Sequence, residues 1–234
     1  MKTVAKIHTD FKTKFGVPRQ SGLVKGLKGR IVFEPEFRNA EALRGLEGFS
    51  HIWLLWDFSE AHREDDGWSP TVRPPRLGGN QRMGVWATRS PFRPNSIGLS
   101  SVRITKIELQ TPEGPVIEVE GADLMDGTPI LDIKPYLPFT DSHPDARGGF
   151  AEEQNQKTEP LEVEIPSDIA NLFDAERREA LRGVLAADPR PHYQQDPERI
   201  YALEFAGYEV KFRVADGKAT VTEAQPIAAS ANKP

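Results

Sequence analysis

The sequence contains no cysteine. Disulfides, thiolate nucleophiles and zinc or iron–sulfur sites built on thiolates are thereby excluded. Histidine is scarce: His8, His51, His62, His143 and His192 are the whole complement, with no close pair. A metal centre would need carboxylates gathered from distant parts of the chain, and none is expected. No stretch approaches the roughly 20 apolar residues of a membrane span, and the N-terminus lacks the apolar run of a signal peptide. No membrane partner is expected, and the protein is expected in the cytoplasm. Also missing are G-x-G-x-x-G after a strand, G-x-x-x-x-G-K-S/T, H-E-x-x-H and G-x-S-x-G, so the usual nucleotide folds, zincins and α/β-hydrolases have no support.

One further absence is local. Between Gly67 and Ile107 there is no Asp or Glu, while Arg73, Arg76, Arg82, Arg89, Arg93, Arg103 and Lys106 place seven cations in 41 residues. The other 193 residues set 23 basic against 35 acidic side chains, and the whole chain is formally −5. Charge is sorted along this sequence. The same stretch holds Pro70, Pro74, Pro75, Pro91 and Pro94 among several glycines, which reads as shaped loops between short strands. Arginine grips phosphate through a planar fork, and Trp68, Trp86 and Phe92 are available for stacking on bases. A site for a phosphate-bearing or nucleic-acid partner is one reading. A solvated arginine surface paired with acids elsewhere is the other, and composition alone leaves both open.

Coarse patterning predicts strands over 4–8, 29–33, 51–58, 83–87, 97–107 and 116–119, and another ending at Pro135. The run 51–58 is short and apolar nearly throughout, so it predicts a strand buried on both faces. Hydrophobics become sparse toward 160. Beyond that point Ser167 can cap a helix carrying Ile169, Leu172, Phe173, Leu181, Val184 and Leu185, which Asp188-Pro-Arg-Pro191 terminates. Two strands, 201–205 and 208–214, follow around Gly207. Strands without interleaved helices argue against a parallel sheet, so the chain reads as a β domain carrying a small α+β domain. The expected divisions are 1–145, a linker over 146–160, the second domain over 161–227 and a disordered tail over 228–234.

Single residues carry two readings. His51 heads a strand, where a hydrogen-bonded core histidine competes with a general base. Asp126 precedes Gly127 in a tight turn, a placement that turn chemistry alone explains.

Taken together, several blocks resemble the TsaA-like proteins, specifically the TrmO tRNA methyltransferases: Gly16-Val-Pro-Arg-Gln20, Arg44-Gly-Leu-Glu47, Phe49-Ser-His51, Pro70-Thr-Val-Arg-Pro-Pro-Arg-Leu-Gly-Gly79, Gly84-Val85, Ala87-Thr-Arg-Ser90, Phe92-Arg-Pro-Asn95, Asp123-Leu124, Asp126-Gly-Thr-Pro129 and Asp132-Ile-Lys-Pro-Tyr136. Asp188-Pro-Arg-Pro191 with Tyr193 extends the likeness. The resemblance implies an N-terminal non-Rossmann β-barrel, S-adenosylmethionine as cofactor, a homodimer, and as substrate the anticodon arm of tRNA carrying N6-threonylcarbamoyladenosine, methylated on N6. By matching position it puts cofactor contacts on Pro18, Arg19, Gln20, Ser59, Glu60, Arg89, Leu99, Asp126, Gly127, Thr128 and Pro129. Ser59-Glu60 departs from the family's His-Gln at that point. Asp126 and His51 are the candidate proton acceptors; Arg73, Arg76, Arg93, Arg190 and Tyr193 are the candidate tRNA contacts. Alternative readings are a catalytically silent cofactor- or tRNA-binding regulatory relative, a methyltransferase on another substrate, and a plain all-β oligonucleotide-binding domain.

Overall fold

The computed structural model describes residues 1–59, 68–74, 77, 81–156, 159–191 and 196–227. Alternating side chains build its first half. In β1 (Ala5–Thr9) Ala5 and Ile7 are fully buried while Lys6 and His8 face outward. Alternation also runs through β3 (His51–Asp57) and the first halves of β6 (Ile97–Glu108) and β8 (Thr128–Pro135), while β2 (Lys28–Phe33) and β7 (Val116–Glu120) each bury two successive residues; the short hairpin β4 (Thr71–Val72) and β5 (Met83–Gly84) lies between β3 and β6. The six long strands close in the order β1-β2-β7-β6-β3-β8, and β8 returns to pair with β1. Closure leaves no unpaired edge. Ile7, Ile31, Ile52, Leu54, Val102, Ile117, Val119 and Ile130 fill the interior, each side chain contributing about 1.5–3 kcal/mol of burial.

β3 departs from the expectation of burial on both faces. Ile52, Leu54 and Trp56 are buried, and the residues between them are half-buried. A barrel strand has only one interior side. The outer face is apolar because it is partly covered: Trp53 packs on Tyr136 with ring centroids 5.5 Å apart and donates its Nε1 hydrogen to Asp141 at 2.8 Å.

The second half begins with α1 (Pro138–Asp141) and α2 (Gly149–Gln156), the latter lying inside the segment expected to be linker. A four-stranded sheet follows, ordered β10 (Tyr201–Phe205), β11 (Tyr208–Ala215), β12 (Lys218–Pro226) and β9 (Glu162–Glu164), with β9 parallel to β12. The single helix expected from Ser167 is two, α3 (Ser167–Ala170) and α4 (Ala175–Ala186). Asp174 separates them, because its carboxylate accepts from the Arg177 amide at 2.8 Å and caps α4. The tail expected to be disordered lies outside the described residues.

The core of this half is not made by the second half alone. Phe11, Val24 and Leu27, from the excursion between β1 and β2, are buried among Leu181, Val184, Leu203 and Phe205. Phe11 meets Phe205 edge-on at 5.4 Å, and Arg177 pairs with Asp10 at 3.1 Å. A loop of the barrel is thus clamped between both halves.

Candidate active site

One mouth of the barrel is walled by loops. β3 ends there, β6 and β8 begin there, and residues 56–59, 97–99 and 123–128 line a cleft of about 760 Å³. That volume suits a small-molecule site. The clamped excursion adds Lys14 and residues 17–20, and the cationic stretch adds Thr88, Arg89, Pro91, Phe92 and Arg93.

The floor is a packed indole. Trp56 pairs with Gly98 across β3 and β6, and its ring lies so close over that glycine that a Cβ would collide with it. Trp56 Nε1 donates to Ser100 Oγ at 3.0 Å, and Ser100 Oγ donates to Asp123 Oδ1 at 2.6 Å. Burial pushes the Asp123 carboxyl above the ordinary carboxylate range; the Ser100 hydroxyl, the amides of Asp123 and Ser21 and the charge of Arg89 pull back less strongly.

The 125–128 turn is built differently. Gly127 has φ +79°, a left-handed conformation natural to glycine. The amides of Asp126 and Gly127 donate to the carbonyls of Phe11 and Ile7 at 2.7 and 2.8 Å, and the Thr128 amide donates to Met125 O at 3.2 Å. All three donors are therefore engaged within the chain. The Asp126 carboxylate accepts from the Thr9 amide at 3.1 Å and meets Lys12 and His8. Burial opposes its charge, yet Lys12, the Thr9 amide and His8 outweigh that and hold its pKa below the ordinary value.

The cationic loop is braced by its own arginines. Arg93 donates to Thr88 O at 2.9 Å and Ser90 O at 3.3 Å while its guanidinium lies 5.2 Å from the Trp86 ring. Trp86 in turn lies 5.7 Å from Trp68, and the two indoles are 66% and 49% exposed. Arg89 donates to Gln20 Oε1, which ties this loop to the excursion. Arg19 reaches the other way, donating to the carbonyls of Asp188 and Arg190 at 3.2 and 3.4 Å.

Of the residues singled out in the sequence, Pro18, Arg19, Gln20, Ser59, Arg89, Arg93, Leu99, Asp126, Gly127 and Thr128 line the cleft together. Leu99 is half exposed there. His51 is not among them: it opens β3 opposite Arg103, six residues from the cleft end of that strand, or roughly 20 Å at about 3.3 Å per residue. It contacts Ser50 Oγ at 2.9 Å and Tyr136 instead, so it is no candidate base for this site. Pro129 lies beyond the lining, paired with Lys6 in β8. Arg190 is not presented to a phosphate: its side chain is 13% exposed, grips Asp188 at 2.8 and 2.9 Å and faces the Tyr201 ring at 5.9 Å. Arg73 is exposed just after β4, away from the cleft lining. Glu60, Arg76 and Tyr193 lie outside the described residues. Lys14, Trp56 and Phe58 are cleft residues that the sequence did not single out, and Asp123, which belongs to one of the resembling blocks, had no role assigned. No spacing rule links Asp123 to Ser100, 23 residues earlier.

Two family models match this chain. That of the tRNA-methyltransferase O N-terminal domain covers residues 6–142, and that of the TrmO C-terminal domain covers 158–227. The chain belongs to the TrmO family. It is 42% identical over 231 residues to the tRNA (adenine(37)-N6)-methyltransferase of Escherichia coli K12, spanning 95% of this chain and 96% of that relative. A Pseudomonas aeruginosa protein named putative S-adenosylmethionine-dependent methyltransferase RcsF is 38% identical over 220 residues, 88% of this chain and 89% of its own. A crystal structure of TrmO from Pseudomonas aeruginosa superposes with a TM-score of 0.75 at 31% identity, covering 96% of each chain. Of the TrmO family blocks read in the sequence, 16–20, 87–90, 92–95, 123–124 and 126–129 contribute residues to the cleft lining, whereas 44–47, 49–51, 132–136 and 188–191 do not. Among the described residues no helix is long and apolar enough to cross a membrane.

Proposed function

We propose that this TrmO family member is an S-adenosylmethionine-dependent methyltransferase acting on N6 of adenine 37 in tRNA, with the threonylcarbamoylated adenosine as its substrate. Convergence carries the reading: four segments far apart in sequence meet at one barrel mouth beside the cationic stretch. The E. coli relative, which this chain matches nearly end to end, is named a tRNA (adenine(37)-N6)-methyltransferase.

The residues fit the cofactor. Leu99, Phe58 and Phe92 offer apolar surface for an adenine ring, Arg89 and Lys14 are cations for a carboxylate, and Asp57 is an anion for a sulfonium or ammonium group. S-adenosylmethionine supplies an activated methyl group when bound. Methyl transfer from a sulfonium is an in-line displacement that mainly demands positioning and exclusion of water, so a rigid cleft serves without a covalent nucleophile. The exposed Trp68–Trp86 pair, braced by Arg93 in a stretch without acids, suits unpaired bases and phosphates of an anticodon loop. The working form is a homodimer in the cytoplasm.

Incubation with S-adenosylmethionine and tRNA carrying threonylcarbamoyladenosine, followed by digestion and mass spectrometry of nucleosides, tests the reading. A methylated nucleoside that disappears when the threonylcarbamoyl group is absent is expected. A product on unmodified adenosine alone would reassign the substrate, and cofactor binding without any product would favour a silent relative.

A further inference from the structure

We propose that Asp123 accepts the proton of the attacking nitrogen, and that Ser100 and Trp56 are positioning residues that aim its carboxylate into the cleft. The inference rests on the methyl transfer proposed above, while its geometry stands by itself. An indole N–H can only donate, so Ser100 Oγ must accept from Trp56 and direct its single proton to Asp123. Ser100 is 1% and Trp56 8% exposed, so the relay is shut from water until it reaches the carboxylate that lines the cleft.

The chemistry needs such a group. An N6–H nitrogen conjugated to its ring is a poor nucleophile until its proton leaves. In the transfer the nitrogen–carbon bond forms as the sulfur–carbon bond breaks. The electron pair stays on sulfur, which becomes a neutral thioether, and the nitrogen's proton passes to Asp123 and from there to water at the open mouth. Asp126 is ill suited, since Lys12, the Thr9 amide and His8 stabilise its charge and so weaken it as a proton acceptor. The charged groups around Asp123 are Lys14 and Arg19 on the excursion, Asp57 at the end of β3, Arg89 and Arg93 on the cationic loop and Asp126 on its own loop. Burial already sets the Asp123 carboxyl above its ordinary range, in the direction a proton acceptor working near neutral pH requires.

Ser100→Ala removes a donor that favours the charged form, so it should move the Asp123 titration to higher pH. The test follows the carboxyl carbon of labelled aspartate by NMR in the free protein, wild type and Ser100→Ala, alongside kcat/KM against pH with S-adenosylmethionine and tRNA. Asp123 should titrate above an ordinary aspartate, higher still in Ser100→Ala, and the acid limb of kcat/KM should move with it. Asp123→Asn should lower kcat by about 10²–10⁴-fold with cofactor affinity unchanged, and Asp57→Asn should keep the limb. The proposal is overturned if the limb stays in place in Ser100→Ala, if Asp57→Asn abolishes it, or if Asp123→Asn loses cofactor binding. Wild-type protein that binds the cofactor but methylates no tRNA sinks the functional reading and this inference together. Turnover by Asp123→Asn at the wild-type rate sinks this inference alone.

Discussion

Gly98→Ala probes the floor of the cleft. A Cβ at Gly98 stands 2.5 Å from Trp56 Cδ2 and nearer still to Cε2 and Cζ2, whereas carbons in contact keep about 3.5–4.0 Å. The indole must retreat by about 1 Å or more. It cannot retreat freely, for the Phe58 ring centroid is 4.1 Å away and Nε1 is tied to Ser100. Overpacking of this kind costs about 1–3 kcal/mol, and loss of the Trp56–Ser100 hydrogen bond adds about 1 kcal/mol. At about 2–4 °C per kcal/mol for a chain of this size, Tm should fall by roughly 5–15 °C. The open direction is toward the cleft, so the displaced ring should also weaken S-adenosylmethionine binding. Calorimetric melting and titration calorimetry of the cofactor measure the two effects. Adding Trp56→Phe, a smaller ring, should recover part of the lost stability. A Gly98→Ala protein that melts with the wild type and binds the cofactor equally well would refute the packing argument.

Two other perturbations separate support from contact. Asp188→Asn leaves the Arg190 guanidinium, 13% exposed, without its counter-charge; a loss of about 2–3 kcal/mol in urea unfolding is expected, with reduced turnover because Arg19 is anchored on the same backbone. Trp86→Ala should weaken tRNA binding by about 5–150-fold, the equivalent of 1–3 kcal/mol of stacking, without altering its salt dependence. Arg73→Ala should instead reduce the slope of log K against log salt by about 1. A salt series of tRNA titrations distinguishes the two.

The strands and turns were legible because they rest on local rules. Period-two burial in β1, the Gly127 turn and the termination of α4 near Asp188 all depend on residues a few positions apart. The cleft was legible only through the family blocks, since convergence of residues 17–20, 88–93, 97–99 and 123–128 is a property of barrel closure and leaves no periodic trace. What the sequence hid depends on distant partners. Arg190 looked like a phosphate contact until Asp188 and Tyr201 enclosed it. His51 was a candidate base as the histidine that heads a strand, but it stands at the end of that strand far from the cleft. The shared core behaves likewise: Phe11, Val24 and Leu27 give no local sign that their partners, such as Leu181 and Phe205, lie in the second half of the chain.

Asp123 and Asp126 are three residues apart on one loop, yet their surroundings push them in opposite directions, as happens when two carboxylates have different work. Asp126 is held low by Lys12, the Thr9 amide and His8 against its burial. Its contribution to stability is therefore present above the unfolded value, about 3.9, and is lost as pH falls through the lower folded value. Asp123 is held high by burial. Its contribution is complete only below the unfolded value and is lost as pH rises through the raised folded value, so at neutral pH the ionised group lowers stability. Asp126→Asn should destabilise the protein at pH 7 and flatten its acid sensitivity below about pH 4. Asp123→Asn should do the reverse, raising stability at pH 7 in denaturant unfolding while turnover falls. Such a trade is expected where a buried charge is kept for chemistry and not for the fold. An Asp123→Asn protein less stable than wild type at pH 7 would show that the Trp56–Ser100–Asp123 relay exists to hold the barrel mouth together.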